Sequence, residues 1–341
     1  MPRFDHFVFS GNPKARGLAY GETLRERVHA TYALYADSLF SGSALSPDEI
    51  RARGDRVRQL IDDFDPALTT ELDAVAHGAG LPAWQIYVLN ARTEILNAPV
   101  GECTAAFFSG SATLGQNWDW VRPLESLAAL VTWDLGDDRR LLVLTEPGML
   151  GKIGFNDRGL GVCLNILFSA HALNGVPVHV LTRAVLDCGS VAEARALMQR
   201  SGFGKSSHLL VGDAGGDACS MEFAAGERFE VDPEDGVWLH TNHCVADAGC
   251  DKAVRIPTTV ERLGTARGWM AANTHRDVAG MKDMLLDESP GAGALNVHYH
   301  PEPLLDNQDV GTCATIVMDL PGREMHIKRG PDDADFDTLP L

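Results

Sequence analysis

The 341-residue sequence lacks any apolar run close to the roughly 18 residues that a membrane-spanning helix needs. Its first residues, Met1 to His6, include one basic side chain and no apolar stretch, so no secretion signal is predicted. Basic residues are scarce: 29 Lys and Arg stand against 47 Asp and Glu, a net charge of −18. Nucleic acids and anionic membranes attract clustered basic residues, so we expect neither as a partner.

Disulfide and metal frameworks are also missing. The seven cysteines are odd in number and scattered, and no two of them form a C-x-x-C pair. We therefore expect reduced thiols in a cytoplasmic protein without a cofactor. His240, His243 and Cys244 raise a zinc site as an alternative, but their spacing matches no standard finger, so no metal is predicted. A G-x-S-x-G serine elbow is absent as well.

The first hundred residues have the pattern of helices. Ser46, Pro47 and Glu49 form a helix start in which Ser caps, Pro opens the first turn and acidic side chains follow. We also predict helices at about 13–40 and 82–96, because apolar residues recur there at helical spacing.

From residue 103 onward, short extended runs dominate, interrupted by helical patterns at about 178–186, 190–200, 257–272 and 277–286. Strands mostly follow strands along the chain, which favours packed antiparallel sheets covered by helices over a doubly wound parallel sheet. The predicted fold class is therefore α+β. The run 103–120 is long enough for two strands with a turn near 109–111.

Cys103 is the first candidate for chemistry because it stands where the helical part of the sequence gives way to the strand-rich part. The alternative is a buried structural thiol, which is what most free cysteines are.

The segment that follows alternates polar and aromatic residues. On a strand, Asn117 and Asp119 share one face while Trp118 and Trp120 share the other. A hairpin would bring the Asp119 carboxylate beside Cys103, whereas an edge strand would leave both polar residues in solvent. The tryptophans are expected in the core rather than in a pocket.

Residues 239–243 (LHTNH) are either a site segment at the end of a strand or a polar loop. In a thiol hydrolase that needs no processing, His240 or His243 would act as the base for Cys103, as in papain-like enzymes.

Four short segments follow one another along the chain: Cys103-Thr104, 115–119 (GQNWD), 159–165 (GLGVCLN) and 240–243 (HTNH). Together they resemble the isopenicillin N acyltransferase family (acyl-coenzyme A:6-aminopenicillanic acid acyltransferase) of N-terminal nucleophile hydrolases. Each motif alone is short, and their order and spacing carry the resemblance.

The resemblance implies a four-layer αββα sandwich and a precursor, or zymogen, that cuts itself between Glu102 and Cys103. One fold would then consist of a helical small fragment, 1–102, and a catalytic fragment, 103–341. Cys103 would be the nucleophile and its new α-amine the base. Asp119 would orient that amine, and Asn242 would donate a hydrogen bond to the oxyanion.

Supporting roles at the family's motif positions fall to Thr104, Asn117 and His243. The chain departs from the family pattern at Glu102, where glycine is common and makes the scissile backbone easier to strain. A second departure is Gln116, where similar bile-salt and ceramide amidases carry Arg, so no carboxylate-binding role is predicted there.

The predicted function is a self-processing amidohydrolase that cleaves a small N-acyl amide through an acyl-Cys103 thioester. Alternatives are an acyltransferase that uses the same acyl-enzyme, an unprocessed Cys/His thiol hydrolase, and an inert binding member of the family. The expected partner is a small-molecule substrate, and homo-oligomer formation stays open.

Overall fold

A computed structural model of the protein describes residues 4–40, 45–96, 102–167, 174–224, 226–246, 258–289, 291–333 and 335–341. The described residues before 103 form one short strand and six α-helices. The helices are α1 (Pro13–Thr23), α2 (Arg25–Ala33), α3 (Pro47–Phe64), α4 (Pro66–Ala79), α5 (Ala83–Asn90) and α6 (Arg92–Leu96). A π-helical turn, Leu34–Leu39, follows α2.

The start of α3 confirms the helix signal in the sequence. The Ser46 hydroxyl accepts a hydrogen bond from the Glu49 N–H, and the Glu49 carboxylate accepts one from the Ser46 N–H. This reciprocal pair satisfies two backbone donors that a helix start leaves without partners. The predicted helices 13–40 and 82–96 are each divided in the structure, at Leu24 and Ala91 respectively.

Two sheets make up the body of the protein among the described residues. Sheet A has eight strands in the order β1 (His6–Ser10), β4 (Ala129–Gly136), β5 (Arg139–Thr145), β6 (Ile153–Asn156), β7 (Leu160–Ile166), β10 (Ser207–Asp213), β11 (Ala218–Ala224) and β12 (Glu227–Glu230). Sheet B has the order β13 (Val237–His240), β2 (Glu102–Phe108), β3 (Thr113–Val121), β15 (Gln308–Asp319), β16 (Glu324–Arg329) and β17 (Asp337–Pro340). A further strand, β14 (His300–Glu302), pairs with β15, and two-residue strands β8 (Asn174–Gly175) and β9 (Gly202–Phe203) pair with each other.

Neighbouring strands are antiparallel except for β1 and β4, which are parallel. The leader therefore contributes an edge strand to sheet A as well as helices. The sequence pattern predicts neither β6, β12, β14 and β17 nor the two-residue strands β8 and β9. Strand β6 was missed because glycine is typical of loops, and Gly154 lies in its middle. In the structure this glycine permits close approach to β5, since a Cβ here would lie 2.2 Å from the Leu142 carbonyl oxygen.

The two sheets pack face to face. Phe107 of sheet B lies against Gly212 of sheet A, where an added Cβ would come within 2.6 Å of the aromatic ring. Helices α8 (Val178–Val185) and α9 (Val191–Arg200) cover the outer face of sheet A, and α10 (Thr259–Ala272) and α11 (Val278–Leu285) cover that of sheet B.

This arrangement is the four-layer αββα sandwich that the resemblance implies, and the α+β prediction is confirmed. A separate apolar cluster fills the space between sheet B and its helices; its members include Phe108, Met281, Leu285 and Val317. The larger core lies between the sheets and beneath the leader helices. The short helix α7 (Pro123–Leu127) connects β3 to β4.

Candidate active site

Cys103 lies in β2, directly opposite Trp118 of β3. Directly paired residues share one face of a sheet, so the thiol and the Trp118 indole both point toward sheet A. There they line a buried cavity of about 30 Å³, together with Trp120, Lys152, Asn242 and residues of α6. Because one water molecule needs about 10–15 Å³, this space holds only a few small groups.

Side chains from distant parts of the chain hold the main chain of Cys103. Its N–H donates to Asn242 Oδ1 at 2.7 Å. Its carbonyl oxygen accepts from Arg262 Nη1 at 2.8 Å and from Asn165 Nδ2 at 3.0 Å. We call Asn165, Asn242 and Arg262 the main-chain clamp. All three side chains are buried.

Arg262 is the clamp residue that sequence reasoning missed. Besides the Cys103 carbonyl, its guanidinium donates to Thr104 Oγ1 at 3.1 Å and to Asn242 Oδ1 at 2.8 Å. A planar guanidinium offers five donors in a fixed fork, which suits it to hold several acceptors in one arrangement. Nothing in the local pattern of α10 distinguishes Arg262 from the exposed Arg267.

The segment 240–243 owes its position to β13 and to the start of α10. His240 pairs with Ala105 of β2, which brings the following residues beside Cys103. The Asn242 N–H then donates to Thr259 Oγ1 at 2.7 Å, and His243 Nδ1 lies 2.9 Å from the same hydroxyl. The segment thus lies at the end of a strand and places Asn242 next to Cys103.

Both ring nitrogens of His240 contact acceptors that are not Cys103. Nε2 lies 2.8 Å from Glu222 Oε1 and Nδ1 lies 2.6 Å from the Thr241 carbonyl. The His240 ring stacks on His208, which contacts Asn165 Oδ1 at 2.9 Å and Ser220 Oγ at 2.8 Å. Among the described residues that line the cavity, none is a histidine.

Strand β3 lies inside sheet B between β2 and β15, and all nine of its residues are buried. The edge-strand interpretation of this segment is therefore wrong. Asn117 Nδ2 donates to the carbonyls of Leu285 and Leu295, each at 2.7 Å, on the helix side of the sheet.

Asp119 adjoins the nucleophile. Its Oδ1 accepts from Thr312 Oγ1 at 2.7 Å, and its main-chain N–H is directed at the Cys103 thiol. Burial raises the pKa of the Cys103 thiol to about 11, and the Asp119 charge adds to this increase. In the uncut chain the thiol is thus protonated at neutral pH.

Trp118 and Trp120 belong to the buried core, as expected, and they also line the cavity. Trp133 is buried elsewhere in the core and donates to the Leu150 carbonyl. Gln116, also at the cavity, makes two hydrogen bonds with the main chain of Leu164, at 2.6 and 2.9 Å. Its amide groups thus connect the two sheets.

Three charged side chains, Arg92, Glu146 and Lys152, form what we call the ion cluster. Arg92 makes two hydrogen bonds to the Glu146 carboxylate, at 2.6 and 3.1 Å, and Lys152 Nζ makes one at 2.7 Å. Tyr35 donates a fourth, at 2.7 Å. Although burial opposes its ionisation, the charges of Arg92 and Lys152 hold the pKa of Glu146 well below its usual value.

The cysteines and possible metal ligands of the described residues form no second site. Five cysteines of the described chain, Cys103, Cys163, Cys188, Cys219 and Cys313, are free thiols, and Cys250 lies outside the described residues. Within the described ranges, no three His, Cys, Asp or Glu side chains are grouped to hold a metal ion. In the same ranges, no helix is both long and apolar enough to cross a bilayer.

Among solved structures, the chain is similar to a mutant of the conjugated bile acid hydrolase from Clostridium perfringens. The identity is 11% and the TM-score 0.48, over 71% of this chain and 92% of that one. It is also similar to penicillin V acylase from Agrobacterium tumefaciens, with 14% identity and a TM-score of 0.41, over 67% of this chain and 82% of that one.

Sequence comparisons identify the family. The chain is 29% identical over 256 residues to the 40 kDa form of acyl-coenzyme A:6-aminopenicillanic-acid-acyltransferase from Emericella nidulans, covering 72% of this chain and 70% of that protein. Residues 108–329 match the family model of acyl-coenzyme A:6-aminopenicillanic acid acyl-transferase, a range that begins after Cys103. Because this match spans well over half of the chain, the protein belongs to that family, as the sequence motifs predicted, and is an enzyme that acts on amide bonds or transfers acyl groups.

Proposed function

We propose that the chain cuts itself between Glu102 and Cys103 and then hydrolyses a small N-acyl amide through an acyl-Cys103 thioester. One observation carries this proposal: Asn242 Oδ1 already holds the Cys103 nitrogen at 2.7 Å, while the thiol of the same residue lines the cavity. Cleavage would convert that nitrogen into an α-amine without moving it.

The α-amine suits the role of base. The pKa of an α-amine is about 8, so an appreciable fraction is neutral at physiological pH. It belongs to the same residue as the thiol, and a base next to the nucleophile is the usual means of activation. Asp119 orients the amine in this proposal, since its carboxylate is close enough to influence the thiol.

Asn242 is proposed to serve a second time through its amide nitrogen. Nδ2 donates to the Ile166 carbonyl at 3.0 Å, at the edge of the cavity. Turned to a bound substrate, such a donor stabilises the tetrahedral oxyanion, and its loss typically costs ~3 kcal/mol of barrier. Thr104 supports the clamp through Arg262, Asn117 braces β3, and His243 braces the segment that carries Asn242.

Acyl transfer is the second candidate. Once the acyl-thioester forms, water or an amine can accept the acyl group, and the intermediate is the same. The name of the Emericella nidulans relative, an acyltransferase, favours transfer. Product analysis with and without an added amine acceptor distinguishes the two outcomes.

Processing is tested by N-terminal sequencing and intact mass of the freshly purified chain. We expect a fragment 103–341 that begins with Cys103, together with the leader 1–102, and only the full chain in Cys103→Ala. A full-length wild-type chain that hydrolyses N-acyl amides would contradict the amine-base mechanism. An acyl probe that fails to label Cys103 would instead indicate an inert member of the family.

The free thiols favour the cytoplasm as the compartment, because such thiols oxidise in secreted proteins. Fractionation of the native host checks this proposal. Whether the enzyme assembles into homo-oligomers is measured by light scattering of the processed protein.

A further inference from the structure

The first cleavage poses a chemical problem that the α-amine cannot solve. Before the 102–103 bond is cut, the Cys103 nitrogen is a peptide N–H and has no basic lone pair. Burial and the Asp119 charge meanwhile keep the thiol protonated at neutral pH. If the chain processes itself as proposed above, another group must take the thiol proton.

Lys152 lines the same cavity as the Cys103 thiol. Its Nζ stands 4.3 Å from the centroid of the Trp118 ring, and Trp118 is the direct cross-strand partner of Cys103. The charge of each of these two residues affects the pKa of the other: Lys152 lowers that of Cys103, and Cys103 raises that of Lys152. The lysine side chain is only 3% exposed, so bulk water does not compete for its proton.

The ion cluster allows Lys152 to become neutral. If the ammonium loses its proton, Glu146 still keeps two hydrogen bonds from Arg92 and one from Tyr35. The carboxylate therefore does not become an unpaired buried charge. Burial also lowers the pKa of Lys152 to about 8, against the opposing effect of Glu146, so a neutral amine is accessible near physiological pH.

The other charged and titratable groups around Lys152 do not fit the role. They are Arg92, Glu146, His179, Cys103 and Cys313. Arginine does not release its proton in proteins. Glu146 already accepts hydrogen bonds from Arg92, Lys152 and Tyr35. Burial keeps the pKa of His179 well below its usual value and raises the pKa of Cys313 strongly.

We propose that Lys152 Nζ accepts the Cys103 thiol proton, directly or through one water, in the first step of self-cleavage. The thiolate sulfur attacks the Glu102 carbonyl carbon and forms a C–S bond. As the C–N bond to Cys103 breaks, Lys152 returns the proton to the departing nitrogen, which becomes the α-amine. Water then hydrolyses the thioester, which leaves a carboxyl group on Glu102 and the free thiol on Cys103.

Two variants separate proton acceptance from simple charge. Lys152→Met removes charge and base, and Lys152→Arg keeps the charge but cannot accept a proton. We expect both to form fragment 103–341 at least about a hundredfold more slowly than wild type, the usual contribution of a positioned base. Lys205→Met is the matched control, because burial also lowers the pKa of Lys205 to about 8 beside Glu94, but Lys205 does not line the cavity.

The time course is followed by intact mass on chains made by cell-free translation, with near-ultraviolet circular dichroism to confirm folding. Normal cleavage in Lys152→Arg would leave only a charge role and overturn the proton transfer. Normal cleavage in Lys152→Met would exclude the residue altogether, while processing itself stands. A wild-type chain that never cleaves would refute self-processing, and with it this role for Lys152.

The pH profile of the wild-type chain gives a test that does not depend on variants. Cleavage should accelerate as pH rises from 6, as Lys152 loses its proton, and level off above about 8. If free thiolate alone limited the rate, cleavage would continue to rise about tenfold per pH unit toward the thiol pKa. A rate that is flat from pH 6 to 9, or that climbs without a plateau to pH 10, contradicts the proposal.

Discussion

The main-chain clamp, through Asn242, and the ion cluster, through Arg92 and Lys152, each contribute a wall of the cavity and use different chemistry. The clamp holds Cys103 through hydrogen bonds to two amides and a guanidinium. The ion cluster contains a lysine whose pKa is lowered to about 8 by burial. The clamp therefore sets the position of the nucleophile, while the ion cluster supplies the group that we propose for proton transfer in the first cleavage.

The two walls also differ in what their removal should cost. The clamp consists of hydrogen bonds that set geometry, so its loss should reduce rates more than stability. The ion cluster holds two buried cations on one carboxylate, so loss of that carboxylate should mainly lower stability.

The largest effect is expected for Glu146→Gln. Removal of the carboxylate leaves Arg92 and Lys152 as buried cations, and loss of one partner of a buried pair typically costs about 3–5 kcal/mol. We expect the free energy of unfolding in urea to fall by that amount. The control, Glu234→Gln, breaks the exposed pair with Arg267 and should cost less than about 1 kcal/mol. Equal losses of unfolding free energy in the two variants would show that the buried cluster stabilises the fold no more than the exposed ion pair does.

Arg262→Met should have the next largest effect, this time on rate. The Cys103 carbonyl and Asn242 Oδ1 each lose a charged donor, and loss of one such positioned donor commonly reduces rates about a hundredfold or more. We expect kcat/KM and the rate of fragment formation to fall by this factor. Arg267→Met, an exposed position on the same helix, is the matched control. If Arg262→Met lowered stability but left the rate unchanged, the clamp would be purely structural.

The sequence was informative wherever a signal is local. The Ser46 cap, the hairpin that joins Cys103 to Asp119 and the strand that precedes Asn242 all follow from patterns within a few residues. Such patterns depend on backbone geometry and alternation, which neighbouring residues determine.

Arg262 and Lys152 could not be predicted in this way. Arg262 contacts Cys103, 159 positions earlier in the chain, and the carboxylate that holds Lys152 is itself held by Arg92, 54 positions from Glu146. Burial of a charge depends on tertiary packing, and a single arginine or lysine in a sequence normally indicates a solvent-exposed residue.

The reactivity of the Cys103 thiol should depend on pH differently in the uncut and the processed chain. In the uncut chain, Cys103 alkylation by iodoacetamide should increase about tenfold per pH unit from 7 to 10, because thiolate is the reactive form and burial raises its pKa to about 11. Lys152→Arg, which we expect to cleave at least about a hundredfold more slowly than wild type, provides the uncut chain. In the processed enzyme, the curve should instead flatten near ~8, where the α-amine titrates. Identical curves for the two forms would remove the α-amine from the mechanism.

The smallest effect is expected far from both walls, at Ser46→Ala. The hydroxyl caps α3 by accepting from the Glu49 N–H at 3.3 Å, and loss of such a cap typically costs about 1 kcal/mol. We expect a lower melting temperature by calorimetry and an unchanged rate of cleavage at 102–103. Because α3 packs on α4 and α5 rather than on either wall, a change in that rate would show that the leader helices are coupled to the cavity, to which α6 contributes Arg92, Thr93 and Leu96. The leader, residues 1–102, would then affect the cleavage reaction in addition to the clamp and the ion cluster.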